Sequence, residues 1–292
     1  RTYRAINSCI ALLPMLAGRE IVTVEGLAEA GLHPVQSAMV SSYGSQCGYC
    51  TPGFVVSMFE AFYRDDLREG AAIESKIADQ LSGNLCRCTG YRPIRDAMVS
   101  ALAERPRHDG DLFQVRLSKS DARVPSLSYE AAGERFLRPT SLEELLSLRA
   151  AEPDAELVAG ATEIGVYVNK RHQRFPTLIS TEGVAALRAI ERRADAWVIG
   201  GAANLTDVED TLGKELPLLR KMLLVFASRQ IRSRATLAGN LVTASPIGDM
   251  APVLLSLDAR IELTALRDGK LASRELLLAD FFVGYRKTAM EK

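Results

Sequence analysis

Four of the five cysteines in the chain stand in two tight pairs, and these pairs are the feature with the clearest chemistry. Cys47 and Cys50 have a CxxC spacing, whereas Cys86 and Cys88 have a CxC spacing with an arginine between them. Thiolates at such spacings bind a structural zinc ion or an iron-sulfur cluster, and the spacing alone leaves both open. Zinc sites usually combine two CxxC pairs, so the CxC pair favours iron.

Both cysteine pairs are predicted to lie at the start of a helix. Thr51 and Pro52 follow the first pair as a cap and a first-turn proline, and apolar residues recur at helical spacing after both pairs. Helix N-termini present free N–H groups and positive dipole ends, which suit a site of four thiolates. We expect a small bundle with the site at one end, formed by helices at about 34–43, 52–63, 71–81 and 93–103.

The residues around the two pairs resemble a known family. Residues 46–53 and 83–94 are similar to the helical 2Fe-2S domain of the molybdenum hydroxylases, the xanthine dehydrogenase and aldehyde oxidase family. The resemblance implies that all four paired cysteines ligate one 2Fe-2S cluster. It also implies that the side of the site with Gln46 and Cys88 faces the molybdopterin of a partner chain or domain.

The fifth cysteine, Cys9, lies close to the beginning of the sequence. Taken alone, such a cysteine is most simply an inert buried thiol. By resemblance, Asn-x-Cys at this point carries the last ligand of a plant-type ferredoxin cluster, whose other ligands follow a C-x4-C-x2-C pattern that this sequence lacks. Cys9 is therefore expected to serve a second cluster that this chain does not complete.

The first 103 residues form one predicted region. It is expected to contain the end of a ferredoxin-like domain and, from about residue 30, the helical cluster domain. Residues 20–26 alternate between apolar and polar types, which predicts a short strand. His33 is expected to be a polar residue near a helix start, since four cysteines already complete the metal site.

The composition is that of an ordinary globular protein. A length of 292 residues suffices for more than one domain, and 47% hydrophobic with 25% charged residues can form buried cores. Lysine plus arginine and aspartate plus glutamate number 36 each, so no charge excess indicates nucleic acid or a membrane surface as a partner. No apolar run is long enough to span a bilayer. A cytoplasmic location is expected.

Periodicity fades between residues 104 and 135, and this mixed polar stretch predicts a linker in which His108 is solvated. A second, incomplete domain is expected at 136–292. Its first helix should begin at Ser141, which forms a capping box with Glu144.

Three stretches of the second domain combine apolar segments with turns of small residues, at 156–165, 196–202 and 226–249. The Gly-xxxx-Gly spacing from Gly160 is followed by Val166-Tyr167 instead of Lys-Ser/Thr, which excludes a P-loop, and no GxGxxG fingerprint follows a strand. Each turn alone is explained equally well as an ordinary strand turn. Three of them together favour backbone N–H groups that bind the pyrophosphate of a dinucleotide.

These stretches resemble the FAD-binding segments of the flavin domain in the same family, and residues 281–288 resemble a later motif of that domain. The resemblance implies that residues 158–164 and 236–240 meet the phosphates, that Phe226 lies beside the isoalloxazine ring and that Asp249 hydrogen-bonds the cofactor. The full set implied to bind FAD is Leu157, Val158, Ala159, Gly160, Ala161, Thr162, Glu163, Ile164, Phe226, Thr236, Gly239, Asn240, Thr243, Ser245 and Asp249.

The chain departs from this pattern at Ala161 and Ala238, where relatives often have glycine. Alanine costs little where φ is negative, but it would crowd a phosphate where φ must be positive. The two alanines therefore affect how closely the backbone approaches a phosphate, but not the expectation that FAD binds.

The resemblance implies an α+β multidomain chain. An all-α helical-bundle 2Fe-2S domain should precede an α+β FAD-binding domain of the vanillyl-alcohol-oxidase/CO-dehydrogenase flavoprotein type. Because the family continues beyond both ends of this sequence, the chain is expected to be truncated at both ends.

The implied function is electron transfer. A molybdenum-binding large subunit would hydroxylate hypoxanthine or xanthine, and electrons would pass through the 2Fe-2S clusters to FAD and on to NAD. No catalytic residue for the hydroxylation is expected in this chain, and a heterotetramer or larger assembly is the family expectation. Two alternatives stay open: the same role in an aldehyde oxidase or another heterocycle hydroxylase, and a non-enzymatic scaffold built on a four-cysteine zinc site.

Overall fold

The computed structural model of the chain describes residues 2–29, 31–67, 73–105, 110–120 and 123–291. They form two compact units. The first unit consists of Arg1–Ile6, Glu20–Ala122 and Ala227–Gln230, and the second of Asn7–Arg19, Arg123–Phe226 and Ile231–Lys292. Within the described ranges, no helix combines the length and the apolarity needed to cross a membrane.

The first unit is helical. Its α-helices are α1 (Pro34–Ser41), α2 (Thr51–Phe62), α3 (Ile73–Leu81), α4 (Arg92–Ala103) and α5 (Leu112–Lys119). The first four confirm the predicted bundle, although Ala71, where the third helix was predicted to begin, lies outside the described residues. Helix α5 falls inside the stretch predicted as a linker, so that stretch contains regular structure; His108 lies outside the described residues.

The strand predicted at residues 20–26 is wrong. The described residues there form no strand, and Glu25–Ala28 form a 3-10 helix. A strand needs a neighbour for its backbone N–H and C=O groups. Val22 and Val24 instead pack against the helical core with their side chains, which accounts for the alternating pattern without a sheet.

Helix α2 is the central helix of the first unit. Its buried residues surround the helix axis, because Ser57 and Glu60 are buried together with the apolar side chains. Helix α4 has one apolar face, formed by Ile94, Ala97, Met98 and Ala101 at helical spacing. Burying each large side chain of this core contributes about 1.5–3 kcal/mol. The fully buried apolar residues of α2 are Phe54, Val55, Met58, Phe59, Ala61 and Phe62.

The second unit is built on a four-stranded sheet. Its strands β1 (Leu127–Ala131), β2 (Glu134–Arg138), β3 (Glu156–Val158) and β4 (Thr177–Ser180) lie in the order β1-β2-β4-β3. The first two are antiparallel, and β4 is parallel to β2 and β3. Parallel neighbours need crossover connections, which α6 (Leu142–Ala151) and α7 (Thr162–Arg171) provide. Strand β1 also begins inside the predicted linker.

Short helices and three antiparallel hairpins follow the sheet. The helices are α8 (Ala185–Arg188), α9 (Leu205–Leu212), α10 (Pro217–Val225), α11 (Arg229–Arg232), α12 (Leu237–Val242), α13 (Met250–Leu255) and α14 (Leu278–Phe281). The hairpins pair β5 (Ile190–Arg192) with β6 (Trp197–Ile199), β7 (Arg260–Arg267) with β8 (Lys270–Leu277), and β9 (Phe282–Gly284) with β10 (Lys287–Thr288). The third glycine-containing stretch, 226–249, therefore contains helices and no strand among its described residues.

The cap predicted for α6 is confirmed, with one difference. The Ser141 hydroxyl accepts a hydrogen bond from the Glu144 backbone N–H at 3.1 Å. The Glu144 carboxylate accepts from the backbone N–H of Thr140 at 2.9 Å, one residue earlier than in a capping box. The first bond satisfies an N–H group that the start of a helix leaves without an internal partner, and the second ties the residue before the N-cap to the first turn.

A chain of polar groups is buried among the aromatic side chains of the first unit. His33 is the N-cap of α1, and its Nδ1 accepts from the Val35 N–H at 3.3 Å. The neutral ring therefore carries its proton on Nε2, which donates to the Tyr63 hydroxyl at 3.0 Å. Tyr63 donates in turn to Asp111 at 2.8 Å. Burial lowers the pKa of His33 to about 4, although the charge of Asp111 acts in the opposite direction.

We predict that His33 makes the first unit less stable in acid. Its pKa is about 4 in the native chain, below the ordinary value of 6.5. The unfolded state therefore binds more protons between these values, and stability is lost as pH falls from about 6.5 to about 4. The difference between these pKa values corresponds to about 3 kcal/mol, which solvent screening of the ring reduces to about 2 kcal/mol. His33→Asn should remove this dependence, measured by urea unfolding at a series of pH values with amide exchange in α1 and α2.

His172→Asn is the control for this prediction. His172 is exposed and adopts a left-handed conformation that asparagine tolerates, so its replacement should leave the pH dependence unchanged. Parallel pH profiles for the wild type and His33→Asn would contradict the assignment.

Candidate cofactor sites

The two cysteine pairs lie at two helix starts of the first unit. Cys50 is the N-cap of α2, so the cap is the cysteine rather than Thr51. Cys86 and Cys88 belong to the turn before α4, whose N-cap is Tyr91. The Cys86 N–H donates to the Tyr91 hydroxyl at 3.0 Å, which ties this turn to the helix that follows it.

The four thiols of these pairs face one another. Cys47 interacts with Cys88, and Cys50 interacts with Cys86. Within the described part of the chain, no group of three or more His, Cys, Asp or Glu side chains is arranged as around a metal ion.

Donors around Cys86 fit a thiolate ligand. The Thr89 hydroxyl lies 3.2 Å and its backbone N–H 3.5 Å from the Cys86 sulfur. These hydrogen bonds, with that of the Cys88 N–H, lower the pKa of Cys86 to about 7. Four thiols with such donors at two helix starts are the donor set that an iron-sulfur cluster requires.

One side of the cysteine site is open to solvent. Cys47, Cys88 and Gln46 are exposed, whereas Cys50 is half-buried and Cys86 is buried. The side implied to face a molybdopterin is therefore accessible in this chain. That orientation stays a prediction.

Cys9 belongs to the second unit and is exposed, so the interpretation as an inert buried thiol is wrong. It lies in the 3-10 helix Ser8–Ile10, and its carbonyl accepts a hydrogen bond from the Asn169 side chain of α7. A methyl group at Gly165 would lie 2.4 Å from the Ile10 carbonyl oxygen, so this segment packs directly on α7. Its role as a ligand stays a prediction.

In the second unit, the turn between β3 and α7 packs on another part of the backbone. A methyl group at Gly160 would lie 1.9 Å from the carbonyl oxygen of Arg234. Ala161, the N-cap of α7, has a φ of 63°, the less favourable case for alanine. Its methyl group is buried in a cluster with Val158 and Phe136, so it fills the core instead of a binding surface. Ala238 lies within α12 and is not among the residues with positive φ.

The three stretches meet through residues 203–205 and 234–237. The Leu205 N–H donates to the Ala235 carbonyl at 2.8 Å, and the Leu237 N–H donates to the Ala203 carbonyl at 3.4 Å. Asn204 and Thr236, the N-caps of α9 and α12, form an isolated antiparallel bridge. The N-termini of α7, α9 and α12 are thereby gathered around one piece of backbone, and any N–H group there without a partner in the chain is of the kind that binds phosphate.

The later FAD-binding candidates lie in one continuous arrangement. Thr236 accepts from the Gly239 N–H at 3.0 Å, and Asn240 accepts from the Met250 N–H at 3.3 Å, which joins α12 to α13. The Thr243 hydroxyl donates to the Asn240 carbonyl at 2.9 Å. Ser245 accepts from the Ile247 N–H at 3.4 Å, and Asp249 is the N-cap of α13.

Phe226 and the residues around β3 have mixed surroundings. The Phe226 side chain is partly buried, and its carbonyl accepts from Arg232 at 2.8 Å. Glu163 accepts from the Tyr167 hydroxyl at 2.7 Å, so it already has a partner on α7. Val158 is buried, and Leu157, Ala159, Thr162 and Ile164 are half-buried. A ligand at this turn would therefore contact mainly backbone groups.

The sequence places Asn204 at a helix start and Arg234 and Ala235 in the third glycine-containing stretch, but it does not show that these residues meet. Asn204 carried a signal, because it follows a double glycine and caps α9 with a 2.9 Å bond from the Asp207 N–H. Arg234 and Ala235 carried none, since their backbone reaches Gly160 only through the fold.

A helical unit with four paired thiols, and a mixed unit with helix starts gathered at glycine turns, are the two parts that an iron-sulfur flavoprotein requires. Residues 129–292 match the family described as FAD binding domain in molybdopterin dehydrogenase, and residues 23–99 match the family described as [2Fe-2S] binding domain. The chain belongs to the molybdopterin dehydrogenase family. The predicted order of an iron-sulfur and a flavin domain is confirmed.

Curated relatives extend the similarity over almost the whole chain. The xanthine dehydrogenase of Drosophila subobscura is 34% identical over 99% of this chain and 25% of its own length. The xanthine dehydrogenase/oxidase of Rattus norvegicus is 29% identical over 98% of this chain and 25% of its own length. The chain thus spans about a quarter of these relatives.

A solved structure is similar to part of the chain. Reconstituted CO dehydrogenase from Oligotropha carboxidovorans is 25% identical, with a TM-score of 0.50 over 56% of each chain. This likeness agrees with the CO-dehydrogenase flavoprotein type expected from the sequence.

We predict that Gly160→Ala disrupts the flavin site. The added methyl group would meet the Arg234 backbone, which has no flexible end to move away, so the turn must shift. FAD affinity should fall at least about tenfold, and the second unit should lose about 3 kcal/mol of unfolding free energy. Flavin titration and thermal unfolding measure the two effects.

Gly284→Ala is the matched control. The nearest atoms to its added methyl group would be 3.9 Å away, an ordinary contact, so flavin binding should be retained. Wild-type flavin affinity in Gly160→Ala would contradict the placement of the turn.

Proposed function

We propose that this chain is the electron-transfer part of a xanthine dehydrogenase, and passes electrons from a molybdenum centre to FAD and then to NAD. The observation that carries the proposal is the meeting of four thiols at the starts of α2 and α4, in a chain that also matches the flavin domain of molybdopterin dehydrogenases. Iron-sulfur clusters supply one-electron chemistry, and flavins connect it to two-electron chemistry.

The residues of the first unit would hold and shield a 2Fe-2S cluster. Cys47, Cys50, Cys86 and Cys88 would be its ligands, and the Thr89 donors to Cys86 would stabilise negative charge on sulfur. The buried side of Cys86 limits access of water, while Cys47 and Cys88 remain open to solvent. An electron donor is therefore proposed to dock on the side of Gln46 and Cys88.

The second unit would bind FAD through its backbone. The gathered N-termini of α7, α9 and α12 offer N–H groups for the pyrophosphate, as supported by the bridge between Asn204 and Thr236. Phe226 is proposed to lie beside the isoalloxazine ring, and Asp249 to hydrogen-bond the cofactor. Cys9 is proposed to ligate a second cluster whose other ligands lie outside these 292 residues.

A molybdenum-binding partner would carry out the hydroxylation. The chain spans about a quarter of its curated relatives, which are named xanthine dehydrogenase, so the molybdopterin site is proposed to lie in polypeptide outside this sequence. No residue of this chain is given a role in substrate hydroxylation. A heterotetramer or larger assembly stays an expectation from the family resemblance. Comparing turnover of hypoxanthine with that of aldehydes distinguishes a xanthine dehydrogenase from an aldehyde oxidase.

Electron paramagnetic resonance of the dithionite-reduced protein tests the proposal. We predict a rhombic S = 1/2 signal that integrates to at least one spin per chain, because four thiolates complete one cluster. Cys86→Ser should abolish or strongly alter this signal, since it removes the sulfur that receives the Thr89 donors. Cys9→Ser should leave it intact, and a second signal lost in that variant would assign Cys9 to a second cluster.

A metal-replete protein without the signal would overturn the proposal. It would leave the four-cysteine zinc scaffold as the interpretation of the cysteine pairs.

A further inference from the structure

Residues 227–230 lie within the part of the sequence that matches the FAD-binding family, yet they belong to the first, helical unit. Gln230 is 5% exposed, and its Nε2 donates to the Ser57 hydroxyl at 2.8 Å and to the Gln80 carbonyl at 3.3 Å. Ser57 belongs to α2, the helix that begins beside Cys50, and Gln80 belongs to α3. The Gln230 side chain therefore comes from the flavin-family part of the sequence but is buried inside the first, helical unit.

The same Ser57 hydroxyl accepts a second hydrogen bond from Asn84. The Asn84 Nδ2 lies 2.9 Å from the Ser57 oxygen and 3.2 Å from the Leu81 carbonyl at the end of α3. Asn84 also lies against the first turn of α2, because a methyl group at Gly53 would be 2.7 Å from its Oδ1. Since Asn84 stands two residues before Cys86, it fixes the approach of the second cysteine pair to the helix of the first.

Close packing and a buried ion pair hold the segment in place. A methyl group at Gly83, which has a φ of 84°, would lie 2.5 Å from the Ser228 Cβ. Arg229 and Glu60 are 3% and 2% exposed and form an ion pair of 3.0 Å, and the other Glu60 oxygen accepts from the Ala5 N–H at 2.9 Å. Removing one partner of such a pair is strongly unfavourable, so the segment has little freedom to leave this position.

We propose that Gln230 is a positioning residue of the 2Fe-2S site, acting through Ser57 and Asn84 on the turn that carries Cys86. Ser57 shares one hydroxyl between two amide donors, so loss of the Gln230 bond frees this hydroxyl and the Asn84 side chain to shift. A short segment of the flavin domain sequence thereby completes the cluster domain. The inference rests on the proposed function, in which the four paired cysteines hold the cluster.

Gln230→Met tests the inference, because methionine keeps the length of the side chain and removes its hydrogen bonds. Gln36→Met is the matched control: Gln36 makes the same number of side-chain hydrogen bonds in the same unit, to the His33 N–H and the Val24 carbonyl. The readouts are the g-values of the reduced protein and the rate at which cluster absorbance is lost to a chelator below the unfolding temperature.

We expect altered g-values and about fivefold faster cluster loss in Gln230→Met, the effect of one net hydrogen bond. Ser57→Ala should act similarly, and the fold-change of the double variant should be smaller than the product of the two single fold-changes, because both variants remove the Gln230–Ser57 hydrogen bond. If Gln230→Met does not fold, the g-values and cluster-loss rate of Ser57→Ala test the inference. Gln36→Met should keep wild-type g-values and loss rate.

Three outcomes would count against the inference in different ways. Wild-type g-values and loss rates in Gln230→Met and Ser57→Ala would overturn it while leaving the cluster assignment intact. Equal effects in Gln36→Met would overturn it by showing a general loss of stability. A wild-type protein without an iron-sulfur signal would instead remove the proposed function on which it rests.

Discussion

Helix α2 is buried on every side, and the first unit is arranged to satisfy the polar groups that this helix carries inside. A buried carboxylate or hydroxyl without partners loses its hydrogen bonds to water and destabilises the folded state. Glu60 therefore receives Arg229 and the Ala5 N–H, and Ser57 receives Asn84 and Gln230. Because α2 begins beside Cys50, the requirements of its interior also determine the surroundings of the cysteine site.

Helix starts serve both candidate sites, for the same physical reason. The first N–H groups of a helix have no internal partner and carry partial positive charge. In the first unit, the starts of α2 and α4 lie beside thiols. In the second unit, the bridge between Asn204 and Thr236 brings the starts of α9 and α12 together. Ala161 shows how such a turn tolerates an unusual residue, since its methyl group packs in the core while its backbone takes the left-handed conformation.

Local sequence patterns predicted helices, caps and strands correctly where interactions between neighbours along the chain decide the structure. The helices after both cysteine pairs, the cap at Ser141 and the strands at 156–158 and 197–199 follow from spacing and capping residues. The strand expected at 20–26 failed because alternation also suits residues that pack on helices, and no neighbouring strand is present there among the described residues. The stretch predicted as a linker, 104–135, contains regular structure, because Asp111 caps α5 and β1 pairs with β2.

The sequence by itself determined the chemistry of this protein: four cysteines at CxxC and CxC spacings, helices behind them, and glycine turns at suitable positions of a second domain. These properties depend on residues that are neighbours along the chain. Only the tertiary structure decided that Gln230 hydrogen-bonds to Ser57, that Gly160 meets the Arg234 backbone and that Cys9 is exposed in a segment packed on α7. Contacts between residues far apart in sequence leave no local pattern, because they arise from the packing of whole helices and strands.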